Sequence, residues 1–134
     1  YHDQEYTEKA LERYQEFLDD FPDSKLNDDA VVSISILREK LGLKLYETGI
    51  LYMKLEEYES AKMTFQSVID TYYDTEIIQY AHQGMVMALA KNREIDAANT
   101  VLSDHRSGLL EEGLFDDARQ TIEKMQKVIS KDKN

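Results

Sequence analysis

Apolar residues recur along most of the chain at the three- and four-residue gaps of an amphipathic α-helix. The first such run consists of Ala10, Tyr14, Phe17 and Phe21. These gaps place the side chains on one face of a helix with 3.6 residues per turn. Pro22 follows the run, and proline cannot continue a helix. We therefore predict a first helix over residues 5–20.

The second run is the longest and predicts one helix over about 26–54. Its main apolar row comprises Leu26, Ala30, Ile34, Leu37, Leu41, Leu45 and Tyr52, and a second row comprises Leu43, Ile50 and Met53. A helix that is apolar on two sides is usually packed between neighbours. Gly42 and Gly49 lie inside it. Glycine is costly in mid-helix, so the two glycines predict the close approach of another helix.

Four further helices follow from the same periodicity. They are predicted over 58–72, 76–91, 94–104 and 115–130. Asp74 and Thr75 are suitable caps for the helix that starts near 76. Residues 105–114 are ambiguous, because Gly108 and Gly113 weaken a helix prediction there. The expected fold class is all-α, with about six helices.

Composition agrees with this pattern and excludes several classes of function. The 134 residues include five glycines, one proline and no cysteine, so a disulfide or thiolate site is impossible. The net charge of −11 disfavours nucleic acid as a partner, because phosphate would be repelled. No apolar run is long enough for a transmembrane helix.

Small and aromatic residues alternate between 49 and 65 in the manner of a tetratricopeptide repeat. Gly49 and Ala61 are the small positions, and Tyr52, Tyr58 and Phe65 are the aromatic ones. In this 34-residue hairpin, small residues sit where two helices cross and aromatic rings fill the remaining space.

Weaker copies of the same pattern flank this hairpin. One begins at Ala10; another contains Gly84, Met87, Ala97 and Val101; a last one contains Phe115, Ala118, Ile122 and Met125. Ala10 and Ala61 are 51 residues apart, which exceeds the 34-residue period by 17, and the long helix absorbs the excess. We expect one tetratricopeptide-repeat domain over 1–134, a right-handed superhelix cut from a longer repeat protein, with 105–134 as a C-terminal extension.

Three motifs give residues 5–104 a family resemblance. They are Phe21-Pro22-Asp23-Ser24 before the long helix, Asp29-Ala30 at its start, and Tyr72-Tyr73-Asp74-Thr75 after the next helix. With the long helix between them, they resemble the BamD family of outer-membrane assembly lipoproteins. Tyr73 stands where the family pattern has proline.

The resemblance implies a non-catalytic scaffold of the outer-membrane β-barrel assembly machine. It implies docking on a periplasmic POTRA domain of BamA and contact with other subunits of the machine. The implied location is the periplasm, at the inner face of the outer membrane, with an N-terminal lipid anchor as the only membrane attachment. The alternative is a generic tetratricopeptide-repeat adaptor that binds a peptide or protein partner in the cell envelope.

No catalytic, cofactor or metal site is predicted. His82 lacks a glutamate three residues earlier, and no His-x-x-x-His pair occurs. An adaptor that clamps a C-terminal carboxylate would need basic residues on its inner face. That face is instead predicted to be apolar, with Leu43, Tyr46, Ile50, Met53, Ile78, Met85 and Leu89.

Five residues are predicted to contact a protein partner. Tyr46, Tyr73 and Tyr80 fit the inner stripes poorly, and tyrosine is favoured at interfaces. Met63 is turned about 180° from the inner face of its helix by the 3.6-residue period. Asp70 lies near Met63 and Tyr73 on the same outer face.

Overall fold

The computed structural model describes residues 2–20 and 27–133, and within these ranges every regular element is an α-helix. The helices are α1 His2–Asp20, α2 Asn27–Lys54, α3 Tyr58–Thr71, α4 Ile78–Lys91, α5 Ile95–Asp104, α6 Arg106–Glu111 and α7 Phe115–Asp132. The all-α prediction is confirmed for these ranges. About six helices were expected and seven are described, and the additional helix, α6, lies in the stretch that the sequence left ambiguous. Phe21 and Pro22 lie outside the described residues.

The long helix α2 is continuous through both of its internal glycines. It has 28 residues and is roughly 42 Å long at 1.5 Å per residue. A Cβ atom placed on Gly42 would lie 3.1 Å from Cβ of Tyr72, and one on Gly49 would lie 2.5 Å from Cε1 of Phe65. The glycines therefore allow other helices to approach closely, as predicted, without breaking α2.

Phe65 lies at the crossing of three helices. Its ring is fully buried and contacts Gly49 of α2 and Gly84 of α4 from two sides. A Cβ atom on Gly84 would lie 2.7 Å from Cζ of Phe65. Ala61, one turn earlier on α3, is also fully buried. The predicted roles of Gly49 and Ala61 as small positions and of Phe65 as an aromatic filler are confirmed.

Three turns with the same backbone conformation precede α3, α5 and α7. Each contains a residue with positive φ, namely Glu56 (59°), Arg93 (66°) and Gly113 (72°). In each turn the next residue donates its N–H to a carbonyl five residues back, as in a Schellman motif. Five residues after the positive φ comes a fully buried alanine: Ala61, Ala98 and Ala118. These turns give the described helices their repeated register.

This register corrects one predicted copy of the repeat. Ala97 and Val101 were expected on the inner face of α5, but Ala97 is exposed. Ala98 and Leu102 are the buried pair, at 0% and 7% exposure. The positive-φ residue Arg93 sets the start of the helix and so shifts the inner face by one residue.

Two clusters of buried side chains lie along α2. The larger one joins α3, α4, α5, α6 and α7, with Tyr46, Ile50 and Met53 of α2 packed against it. The smaller one contains Leu41, Val68, Tyr72 and Ala81, with Leu11 of α1 packed against it. Of the second apolar row of α2, Ile50 and Met53 pack against the larger cluster as expected, whereas Leu43 is 46% exposed.

The start of α4 is not capped as predicted. The N-cap residue Ile77 makes no side-chain cap hydrogen bond, and the Thr75 hydroxyl instead donates to the Tyr72 carbonyl at 2.6 Å. The carboxylate of Glu39 on α2 accepts the N–H of Glu76 at 3.0 Å. A side chain from a neighbouring helix thus accepts the hydrogen bond of a backbone N–H group just before the N-terminus of α4.

Candidate protein-interaction surfaces

Met63, Asp70 and Tyr73 form the first candidate surface, the α3 outer patch. Met63 is 69% exposed and Tyr73 is 67% exposed, and Asp70 is exposed as well. The helical period places Met63 and Asp70 on one side of α3, seven residues apart, and Tyr73 just beyond the end of the helix. The patch therefore combines two large apolar or aromatic side chains with one carboxylate between them.

Arg38 of α2 holds the turn that carries Tyr73. Its guanidinium donates to Asp74 at 2.7 Å and also to the Thr71 carbonyl, and it lies 5.8 Å from the centre of the Tyr73 ring. The hydrogen bond from Arg38 lowers the pKa of Asp74 below its usual range. Where proline is expected, an ion pair with α2 therefore fixes the turn, and Tyr73 stays largely exposed.

Met63 borders a shallow hollow between α3 and α4. The hollow is lined by Lys62, Met63, Gln66, Ser67, Met85 and Leu89. Lys62 contacts Glu94 at 2.6 Å, and this hydrogen bond is the main cause of the lowered pKa of Glu94. Met85 and Leu89 were predicted on the same face as Tyr46. They are instead 7% and 8% exposed and lie beside Met63, because α4 turns them toward α3.

Tyr46 and Tyr80 lie together, away from the α3 outer patch. Their ring centres are 6.2 Å apart in an edge-to-face arrangement, and Tyr46 also lies 5.7 Å from Phe65. Tyr46 is half-buried and burial raises its pKa, whereas Tyr80 is 39% exposed. The five predicted contact residues thus divide into two groups, and Tyr46 mainly extends the core.

A hollow of about 560 Å³ between α1 and α2 contains none of the predicted contact residues. It is lined by Lys9, Ala10, Arg13, Tyr14, Phe17, Asp29, Ala30 and Ser33. Its lining is mainly the apolar faces of two packed helices, so the hollow alone identifies no ligand.

A third surface, the α2 outer stripe, was missed by sequence reasoning. It consists of Val32, Ile36, Leu43 and Leu51, which are 46–63% exposed, with the exposed charged residues Lys40 and Glu47 between them. With the two charged residues included, successive members of this set are three or four residues apart, which places them on one face of α2. The signal was present in the sequence, but an apolar row on a long helix predicts burial more readily than exposure.

His82 and His105 form a stacked pair at the junction of α5 and α6. Their ring centres are 3.5 Å apart at an angle of 14°, and His82 is 6% exposed. Desolvation, with a contribution from His105, lowers the pKa of His82 to about 4. Nδ1 of His82 lies 3.2 Å from the Gln79 side-chain oxygen. His82 is therefore a neutral core residue at pH 7.

Within the described residues, no three His, Asp or Glu side chains are arranged to hold a metal ion. Of the helices described here, none has both the length and the apolar character needed to cross a bilayer.

Comparison with known families extends the resemblance seen in the sequence. Residues 1–105, about three quarters of the chain, match the YfiO family, which is described as outer membrane lipoprotein. The chain belongs to the YfiO family of outer membrane lipoproteins. No curated protein matches it. Family membership indicates association with the cell envelope and covers α1 to α5, and so includes all five predicted contact residues.

Proposed function

We propose that the chain is a BamD-like, non-catalytic scaffold of the outer-membrane β-barrel assembly machine. In this proposal the helices form a tetratricopeptide-repeat superhelix in the periplasm, held at the inner face of the outer membrane. The α3 outer patch docks on a periplasmic POTRA domain of BamA. Membership of the YfiO family supports the class of function.

The observation that carries the docking site is the exposure of Met63 and Tyr73. Each leaves about two thirds of its surface in solvent while the inner face of α3 is fully buried. Large exposed apolar side chains are characteristic of the centre of protein interfaces, where a few of them supply most of the binding energy. Tyr73 is also held in place by Arg38, so little conformational entropy is lost when it binds.

Binding of the purified chain to the POTRA domains of its cognate BamA tests this proposal. Tyr73→Ala and Met63→Ala are each expected to weaken binding by about tenfold, as loss of an interface anchor typically costs 1–2 kcal/mol. Helical content and melting temperature should stay at the parent values, because neither side chain is buried. Val128→Ala on α7, which removes another exposed apolar side chain, is the matched control.

Two results would contradict the docking site: unchanged binding by both variants, or unfolding of either one. A parent chain that does not bind the POTRA domains at all would reject the scaffold role in this form.

A generic adaptor for a peptide or protein in the cell envelope is the second candidate, and the exposed Tyr80 beside Tyr46 favours it. Aromatic rings between two neighbouring helices can bind an extended segment on the inner face of a repeat array. Loss of partner binding in Tyr80→Ala but not in Tyr73→Ala would favour this adaptor over the POTRA scaffold.

A further inference from the structure

The α2 outer stripe has a mirror-like order of residue types along the helix. The midpoint of the stripe lies between Leu43 and Lys44. Lys40 and Glu47 are equally far from this midpoint on opposite sides. Ile36 and Leu51 are likewise equally far from it, one turn further out. Val32 is balanced in the same way by Leu55, which follows the helix end and is 60% exposed. Val32 and Ile36 thus each have an apolar counterpart on the other side, the lysine has a glutamate, and Leu43 lies next to the midpoint with Lys44 as its counterpart.

This order is what an antiparallel pair of identical helices requires. In a two-fold symmetric interface, each residue meets the residue that lies equally far beyond the axis on the other copy. We propose that the α2 outer stripe is a homodimer interface, in which a second copy of the chain packs antiparallel along α2. The axis passes between Leu43 and Lys44, so Leu43 lies beside Leu43 of the partner subunit and meets the partner subunit's Lys44. Ile36 and Val32 meet the partner subunit's Leu51 and the partner subunit's Leu55.

The charges of the stripe select a second copy over an unrelated helix. Neither Lys40 nor Glu47 has an ion-pair partner within the described part of its own chain, and both are exposed. In the antiparallel pair, Lys40 meets the partner's Glu47 and Glu47 meets the partner's Lys40. A parallel pair would instead align lysine with lysine and glutamate with glutamate. Charges beside an apolar seam set the orientation of paired helices in this way.

The stripe is available because it faces away from the helices that pack on α2. Gly42, Gly49 and the half-buried Tyr46 face α3 and α4, whereas the stripe residues remain exposed over the full length of α2. The α3 outer patch takes no part in the pairing, so this inference does not depend on the proposed function.

The size of the seam predicts a weak, concentration-dependent dimer. One helix on each side, about 35 Å long and about 10 Å wide, buries less than the roughly 1,200–2,000 Å² of a standard stable interface. Sedimentation equilibrium of the purified chain over the micromolar range should therefore show a rising dimer fraction. Leu43→Glu should raise the dissociation constant at least tenfold, because it replaces the two leucines beside the axis with carboxylates that the seam would remove from water.

Charge reversal separates this interface from any other mode of self-association. Lys40→Glu and Glu47→Lys should each weaken the dimer by about tenfold, because each creates two like-charge contacts. The double variant, and an equimolar mixture of the two single variants, should recover the parent affinity, since opposite charges then meet again across the seam. Val128→Glu is the control for an added charge at an exposed apolar position of α7.

A chain that stays monomeric throughout this range would overturn the proposal. So would a dimer that Leu43→Glu leaves unchanged, or a double variant that remains as weak as the single ones. Circular dichroism of each variant verifies that the helices remain folded.

Discussion

At the scale of single residues, Phe65 determines how closely α2, α3 and α4 can pack. Its ring fills the space between Gly49 and Gly84 on the neighbouring helices, so a larger residue at either glycine would clash with the ring. Small and aromatic residues at this spacing are visible in the sequence, which is why Gly49, Ala61 and Phe65 could be predicted. The contribution of Gly84 from α4 depends on how two hairpins stack, and only the structure shows its contact with Phe65.

Ala61 tests this packing directly. Ala61→Leu should destabilise the protein by about 1–3 kcal/mol, because the added atoms have no free volume in a fully buried site. Thermal unfolding monitored by circular dichroism should show a melting temperature lower by several degrees. Ala97→Leu on the exposed side of α5 is the control. If Ala61→Leu melts like the parent, the assignment of this helix crossing is wrong.

His82 makes stability depend on pH in a defined window. Its folded pKa of about 4 lies below the ordinary value of 6.5, so the unfolded chain binds the proton more tightly. The contribution of His82 is fully present above pH 6.5 and is lost as the pH falls toward 4. Over the whole shift this loss of unfolding free energy is at most about 3.4 kcal/mol.

Chemical denaturation at pH 7 and pH 5 measures this effect. Unfolding free energy should fall between the two values in the parent and fall less in His82→Gln, which cannot be protonated. An identical fall of the unfolding free energy in His82→Gln and in the parent would show that His82 does not cause the pH dependence between pH 7 and pH 5.

At the scale of elements, the turns before α3, α5 and α7 set the register of the helices that follow them. Glu56 adopts a left-handed conformation that costs an L-residue about 1–2 kcal/mol, and Gly113 occupies the equivalent place in a later turn. The same turn therefore forms with glycine in one copy and with a strained residue in two others.

Glu56→Gly should stabilise the protein by about 0.5–1 kcal/mol, because relief of the strain exceeds the greater chain entropy of glycine. The neighbouring Glu57 has an ordinary φ of −91°, so Glu57→Gly should destabilise and serves as the control. Equilibrium denaturation of the two variants gives the comparison. A loss of stability in Glu56→Gly similar to that in Glu57→Gly would rule out strain at this turn.

The helix α6 lies where the sequence prediction was ambiguous, and Gly108 shows why. Gly108 weakens a helix prediction, yet here it serves close packing, because a Cβ atom would lie 2.4 Å from the side-chain nitrogen of Gln79. The requirement comes from α4, which is distant in sequence. Periodicity correctly predicted the length of α2, whose apolar row is long enough to outweigh two glycines.

At the scale of the whole molecule, the candidate surfaces follow from which sides of the helices remain uncovered. The exposure of Met63 could be predicted from the helical period, because it lies opposite three buried residues of α3. The half-burial of Tyr46 could not be predicted in this way, because its ring contacts Phe65 and Tyr80 on two other helices. Local periodicity therefore predicted the outer patch better than the inner face, where several helices converge.

The unbroken helix α2 connects α1 to α3 and to the helices that follow. One residue added within Asn27–Lys54 would rotate α1 by about 100° relative to α3 and shift it by about 1.5 Å. Every surface on one side of the insertion would then point in a new direction. Related chains are therefore expected to keep the length of α2 constant.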